Sequence, residues 1–179
     1  MSHLSDVLRD LSQREVRLYE KLLMVFPGYR GYKEKELIRE TDRVVRDKLF
    51  RMLRKSLEDL RRLYSAIVSR EGLREDAKRL ESLIYRIDSL AEKTRHAPYG
   101  YKPLFHVTKV DEEKLVKMLE HDLQLADIIT SLNTLTGKLV SADTPSGELR
   151  SLLSDVERFV NEYEVKLSER EDILSGFTR

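Results

Sequence analysis

The sequence predicts an all-α fold: an up-and-down antiparallel bundle of about five helices with coiled-coil-like seams and one very long helix. Three observations lead there. The 179 residues include only seven Gly, four Pro and no Trp while 36% are charged, a composition suited to long helices with densely charged surfaces. Apolar residues recur at spacings of three and four, the signature of one helical stripe. The connections between these stretches are mostly short, which favours antiparallel neighbours. With 40% hydrophobic residues the chain can bury a sizeable core, and it reads as a single helical-bundle domain over 1–179.

The first helix is expected over 4–25, with apolar residues at 4, 8, 11, 18, 22 and 25. Phe26-Pro27-Gly28 stops it, because Pro disfavours helix in the residue before it and Gly supplies a turn. A second helix is expected over 32–70, which contains neither Gly nor Pro and repeats in a 4-3-4-3 rhythm through Leu53, Leu57, Leu60, Tyr64 and Ile67. At about 1.5 Å per residue it would approach roughly 60 Å and outrun its neighbours. Gly72 punctuates. A third helix over 73–94 carries Leu73, Ala77, Leu80, Ile84, Ile87 and Ala91. Asp111 is the N-cap expected for a fourth over 111–139, whose stripe of Leu115, Met118, Leu125, Ile129, Leu132 and Leu139 is interrupted by Asp122. Thr144-Pro145 opens a fifth helix over 145–175 with Leu149, Leu152, Val156, Phe159 and Tyr163 inward. Alternating directions would put the loops at 26–31 and 95–110 and the C-terminal tail at one end of the bundle.

Composition excludes several classes. There is no Cys, so neither a disulfide framework nor a thiolate metal site is possible, and a reducing compartment fits. The N-terminus lacks the apolar core of a signal peptide, and no transmembrane segment is expected, which together point to the cytoplasm. Asn and Gln total four, against abundant Lys, Arg and Glu, a thermophile-like composition. The net charge of +1 supplies no whole-molecule field for nucleic acid or membrane, so charge arguments are local.

Two segments are rich in aromatic residues, FPGYRGY at 26–32 and HAPYGYKPLFH at 96–106, which together hold six of the thirteen Phe and Tyr. Tyrosine offers a rigid contact face with a polar tip, and structured loops on a rigid scaffold commonly carry function. Tyr29, Tyr32, His96, Tyr99, Tyr101, Phe105 and His106 are therefore the candidate binding residues. The alternative is that the aromatic side chains, with Phe26, pack on one another as a lid over the bundle end. Neither segment cradles a phosphate, since no Walker pattern or GxGxxG occurs.

The stretches FPGYRGYKEKELIRETD and HAPYGYKPLFHVTKVDEEKL resemble signatures of an uncharacterised prokaryotic family of all-helical proteins. The resemblance implies the fold class and supplies no catalytic residue to carry over.

The long helix carries a basic stretch, RVVRDKLFRMLRK at 43–55, whose six basic residues against Asp47 leave a local +5. Arg43, Arg46, Arg51, Arg54 and Lys55 are the candidate contacts to a polyanion, either nucleic acid or an anionic membrane surface. Residues 148–172 hold eight acids against four bases, a local −4, so pairing of the two segments is the competing expectation. Only Phe50 interleaves with the basic residues, which is little for stacking on bases.

No catalytic site or cofactor is expected. Glu-x-x-His pairs of a di-iron bundle are absent, no GxSxG elbow occurs, and without Cys no thiol nucleophile is available. No metal site is expected from four scattered His. Asp122 reads as a polar seam residue bonded to Tyr or Arg of a neighbouring helix. The sequence thus points to a non-enzymatic protein-interaction or scaffolding module, engaging a protein partner or its own copy, with polyanion binding as the alternative.

Overall fold

The computed structural model describes residues 13–28, 35–96, 112–141 and 146–176. These form five α-helices, α1 (Gln13–Val25), α2 (Lys35–Ile67), α3 (Arg74–His96), α4 (Glu112–Ser141) and α5 (Ser146–Gly176), with a 3₁₀ turn at Glu71–Leu73 and no strand among them. The helices pack on one another as the all-α bundle that the sequence predicts. Residues 4–12 of the expected first helix, the Asp111 cap and Thr144-Pro145 lie outside the described residues.

α2 stops at Ile67, three residues short of the expected 70. Val68 still donates its N–H to Tyr64, but Arg70 takes an extended conformation and donates to Ile67, and Leu73 donates to Arg70. Bonds of the 3₁₀ kind tighten the end and let α3 begin directly at Arg74. Glu75 and Asp76 in the first turn of α3 and Lys93, Arg95 and His96 in the last complement its dipole. α2 spans 33 residues, close to the 30 of α4 and 31 of α5, so length alone does not force it to overhang.

The contacts divide the chain into two compact units. One unit comprises Arg46–Tyr99 and Leu125–Glu169. Its core is mainly aliphatic, joined by Tyr163: Leu49, Leu53, Leu57, Leu60 and Ile67 from α2; Leu80, Leu83, Ile87 and Leu90 from α3; Leu125, Ile129, Leu132 and Leu139 from α4; and Leu149, Leu153, Val156, Val160 and Leu167 from α5. Each fully buried aliphatic side chain contributes about 1.5–3 kcal/mol of transfer free energy, so this layer is the main source of the unit's stability. On α5 the buried stripe differs from the one expected. Leu152 and Phe159 are only half-buried, while their neighbours Leu153 and Val160 are fully inside. Both choices keep a three-four spacing, and polar residues on either side do not break the tie; burial in the folded unit does.

Polar pairs set the helix directions in this unit. Arg54 with Asp88, and Phe50 with Arg95, match rising numbers on α2 with falling numbers on α3, so the two run antiparallel. Ser56 donates to Asn133 at 2.9 Å and Thr136 to Asp59 at 3.3 Å, which makes α2 and α4 parallel. Asp76 with Arg150, Arg79 with Glu157 and Arg86 with Glu164 likewise make α3 and α5 parallel. Alternating chain direction produces this pattern, because helices two apart in sequence point the same way.

The other unit comprises Met1–Val45, Gly100–Gln124 and Arg170–Arg179. Leu22, Phe26 and Val45 are fully buried in it. Phe26 donates its N–H to Leu22 at 2.7 Å, extending the last turn of α1, and Gly28 follows at a φ of +91° that an L side chain adopts only with strain. Among its described residues, His121 and Asp122 of α4 and Arg170 of α5 are polar and buried.

Candidate interaction surfaces

In the unit built on Arg46–Tyr99 and Leu125–Glu169, the charged side chains first hold helices to each other. Arg79 forks around Glu157, with Nε at 2.7 Å from Oε1 and one terminal nitrogen at 2.6 Å from Oε2. This two-pronged contact lowers the Glu157 pKa below the usual carboxylate range and raises that of Arg79. Arg86 reaches Asn161 and Glu164, and Lys93 also approaches Glu164. Arg150 pairs with the buried Asp76. Thr94 and Tyr163 share a buried hydrogen bond of 2.8 Å between their hydroxyls.

Part of the charge on α2 and α5 is turned toward α3. Glu157 and Glu164 of α5 face α3, and α2 meets α3 through Arg54 and Arg61, both directed at Asp88. Of the candidate polyanion contacts, Arg46 is buried and Arg54 is half-buried against Asp88. Arg43, Arg51 and Lys55 are exposed, with Arg51 3.8 Å from Asp47. Phe50 is covered by the Arg95 guanidinium, 4.8 Å from its ring centre. A ring occupied by a cation is withdrawn from base stacking.

Among the candidate aromatic contacts, Tyr29, Tyr32, Tyr99, Tyr101, Phe105 and His106 lie outside the described residues. His96 is exposed at the end of α3, with Nε2 3.3 Å from Glu92. Phe26 is buried, as a lid residue would be, whereas Met24 one position before the end of α1 is 82% exposed. Met24 heads directly into the aromatic segment, and sequence periodicity offers no reason for an apolar residue there.

A second exposed apolar residue is Tyr85, at 70% exposure on the outer face of α3. It sits in a shallow depression with Lys78, Glu81, Ser82, Arg86 and Ser89. Tyr85 lies outside both aromatic-rich segments of the sequence. The available signal was its offset: Tyr85 follows Ile84 and falls off the stripe that runs through Leu80, Leu83 and Ile87.

Asp122 occupies the seam position expected of it. Arg170 Nε donates to Asp122 Oδ1 at 2.9 Å, with both side chains buried. No cluster of three or more potential metal ligands occurs among the described residues, and none of the described helices is long and apolar enough to cross a membrane. Comparison with known proteins finds no matching family model, no matching curated protein and no matching solved structure.

Proposed function

We propose that this chain is a non-enzymatic interaction module, in which a rigid helical scaffold presents the aromatic segments 26–32 and 96–106 to a protein partner. The observation that carries the reading is Met24, a large apolar side chain left 82% exposed where α1 runs into the first aromatic segment. Apolar and aromatic residues that surround a contact patch are what a partner buries. The absence of Cys fits a reducing compartment, and we place the protein in the cytoplasm. Crosslinking followed by co-purification tests the reading with a Met24→Glu variant and a Tyr99→Ser/Tyr101→Ser variant. The expected result is loss of the crosslinked partner with an unchanged circular dichroism spectrum. A partner retained by both variants, or none in the parent protein, rejects it.

A polyanion reading has one observation in its favour: Arg51, Lys55 and Arg62 are exposed at spacings of four and seven, along one face of α2. Glu58 lies within the same face, which weakens its field. Binding to a DNA duplex or anionic vesicles that falls steeply with salt, with a shallower slope for Arg51→Gln/Lys55→Gln, supports this reading. Absence of salt-dependent binding removes it.

A further inference from the structure

α3 is held on two flanks. Asp88 and Arg95 face α2, and Arg79 and Arg86 face α5. Its remaining face carries Lys78, Glu81, Tyr85, Ser89 and Glu92, spaced three, four, four and three residues apart, which places them on one stripe; all five are exposed. Serines at Ser82 and Ser89 leave Tyr85 standing out between small neighbours, in the depression described above.

We propose that this face is a homodimer seam, in which the α3 helices of two copies pack antiparallel about a twofold axis at Tyr85. The charges choose a second copy as the occupant. In a twofold antiparallel pair centred on residue 85, each residue meets the one equally far from Tyr85 on the opposite side, and every such contact occurs twice. Lys78 and Glu92 both lie seven positions from Tyr85, so each copy's Lys78 meets its partner's Glu92. Glu81 and Ser89 both lie four positions away, which sets a carboxylate opposite a hydroxyl donor. A parallel arrangement would instead oppose Lys78 to Lys78 and Glu92 to Glu92, so the stripe is complementary to itself in one orientation only. Two tyrosine rings at the axis supply the apolar contact, with their hydroxyls still able to reach water.

The local partners of these charges do not compete strongly. Lys78 lies 3.0 Å from Glu75, and Glu92 3.3 Å from His96, but all four side chains are well exposed and exchange partners freely. The seam uses no residue of the aromatic segments, so it adds a second interaction face to the reading above and is tested separately from it.

The absence of native Cys makes the test direct. Tyr85→Cys would put two thiols on the twofold axis, where helices packed about 8–10 Å apart bring facing residues within disulfide reach. Under mild oxidation the variant is expected to form a covalent dimer at least about tenfold faster than Ser151→Cys, an exposed position on α5. Light scattering across a concentration series then compares Lys78→Glu, Glu92→Lys and the double variant. Each single reversal is expected to weaken the dimer about tenfold, and the double reversal to restore it, which a merely structural role would not do. Equal crosslinking rates at residues 85 and 151, a parent protein that stays monomeric throughout, or a double variant no better than the singles would each overturn the proposal. The Tyr99→Ser/Tyr101→Ser variant is expected to keep the full crosslinking rate at Cys-substituted position 85, so failure of the aromatic reading and failure of this one give different results.

Discussion

Arg170 on α5 donates its Nε to Asp122 on α4 at 2.9 Å, and solvent reaches only 3% of the arginine side chain and none of the aspartate. Asp122 stands where the spacing of Leu115, Met118, Leu125 and Ile129 calls for an apolar residue. Removing one partner leaves a buried charge short of its counterion, a change worth about 3–5 kcal/mol. Asp122→Leu and Arg170→Met should each lower the urea midpoint accordingly, while the double substitution recovers much of the loss, because the two charges leave together. Additive losses would mean that the pair is not coupled.

The buried edge of α5 is testable by truncation. Leu153→Ala removes a side chain with 0% exposure and should cost about 2–5 kcal/mol, whereas Leu152→Ala removes a half-buried one and should cost about 1 kcal/mol or less. Thermal denaturation of the two variants side by side gives the ranking. The reverse order would restore the stripe through Leu152 and Phe159.

Glu157 should give the stability a measurable acid dependence. Its hydrogen bonds with Arg79 depress the folded-state pKa, so its contribution is present above the ordinary glutamate value of about 4.3 and is lost as pH falls through the folded value. With about a third of both side chains exposed, the pair is worth about 1 kcal/mol at most. Comparing melting curves of the parent protein and Glu157→Gln between pH 7 and pH 3, the gap should hold through the neutral range and close at the acid end. A gap unchanged at pH 3 would dissociate the bond from stability.

The turn after α1 depends on backbone conformation and not on space. A Cβ at Gly28 would lie 3.9 Å from Val44, an ordinary contact, but its φ of +91° is unfavourable for alanine. Gly28→Ala should therefore cost about 1–2 kcal/mol. Gly72→Ala, with no positive φ and nothing within 4 Å, should be neutral or stabilising by a few tenths. Equal effects at the two glycines would remove the conformational explanation.

Helices were legible in this chain because their signals are local. A Gly- and Pro-free run of 33 or more residues, with Leu and Ile at three-four spacing, has no other way to satisfy its backbone and bury its apolar side chains. The polar role of Asp122 was legible for the same reason, since it interrupts a stripe. The end of α2 was less so: Ser69 and Arg70 are compatible with helix, and the 3₁₀ turn through Leu73 closes it early.

What the sequence by itself determined is the all-helical class, the approximate extent of the described helices and the heptad-like spacing of their cores. Tertiary structure alone decided which of two adjacent stripes on α5 faces inward and which carboxylates pair with which bases. Propensity and periodicity act along one helix, whereas burial and ion pairing depend on the neighbour that a face meets. Charge totals of +5 on residues 43–55 and −4 on 148–172 suggest a partnership. Parallel packing of α3 against α5 brings Arg79 and Arg86 to Glu157 and Glu164, a pairing no charge total announces, because a salt bridge forms with the charge a few ångströms away.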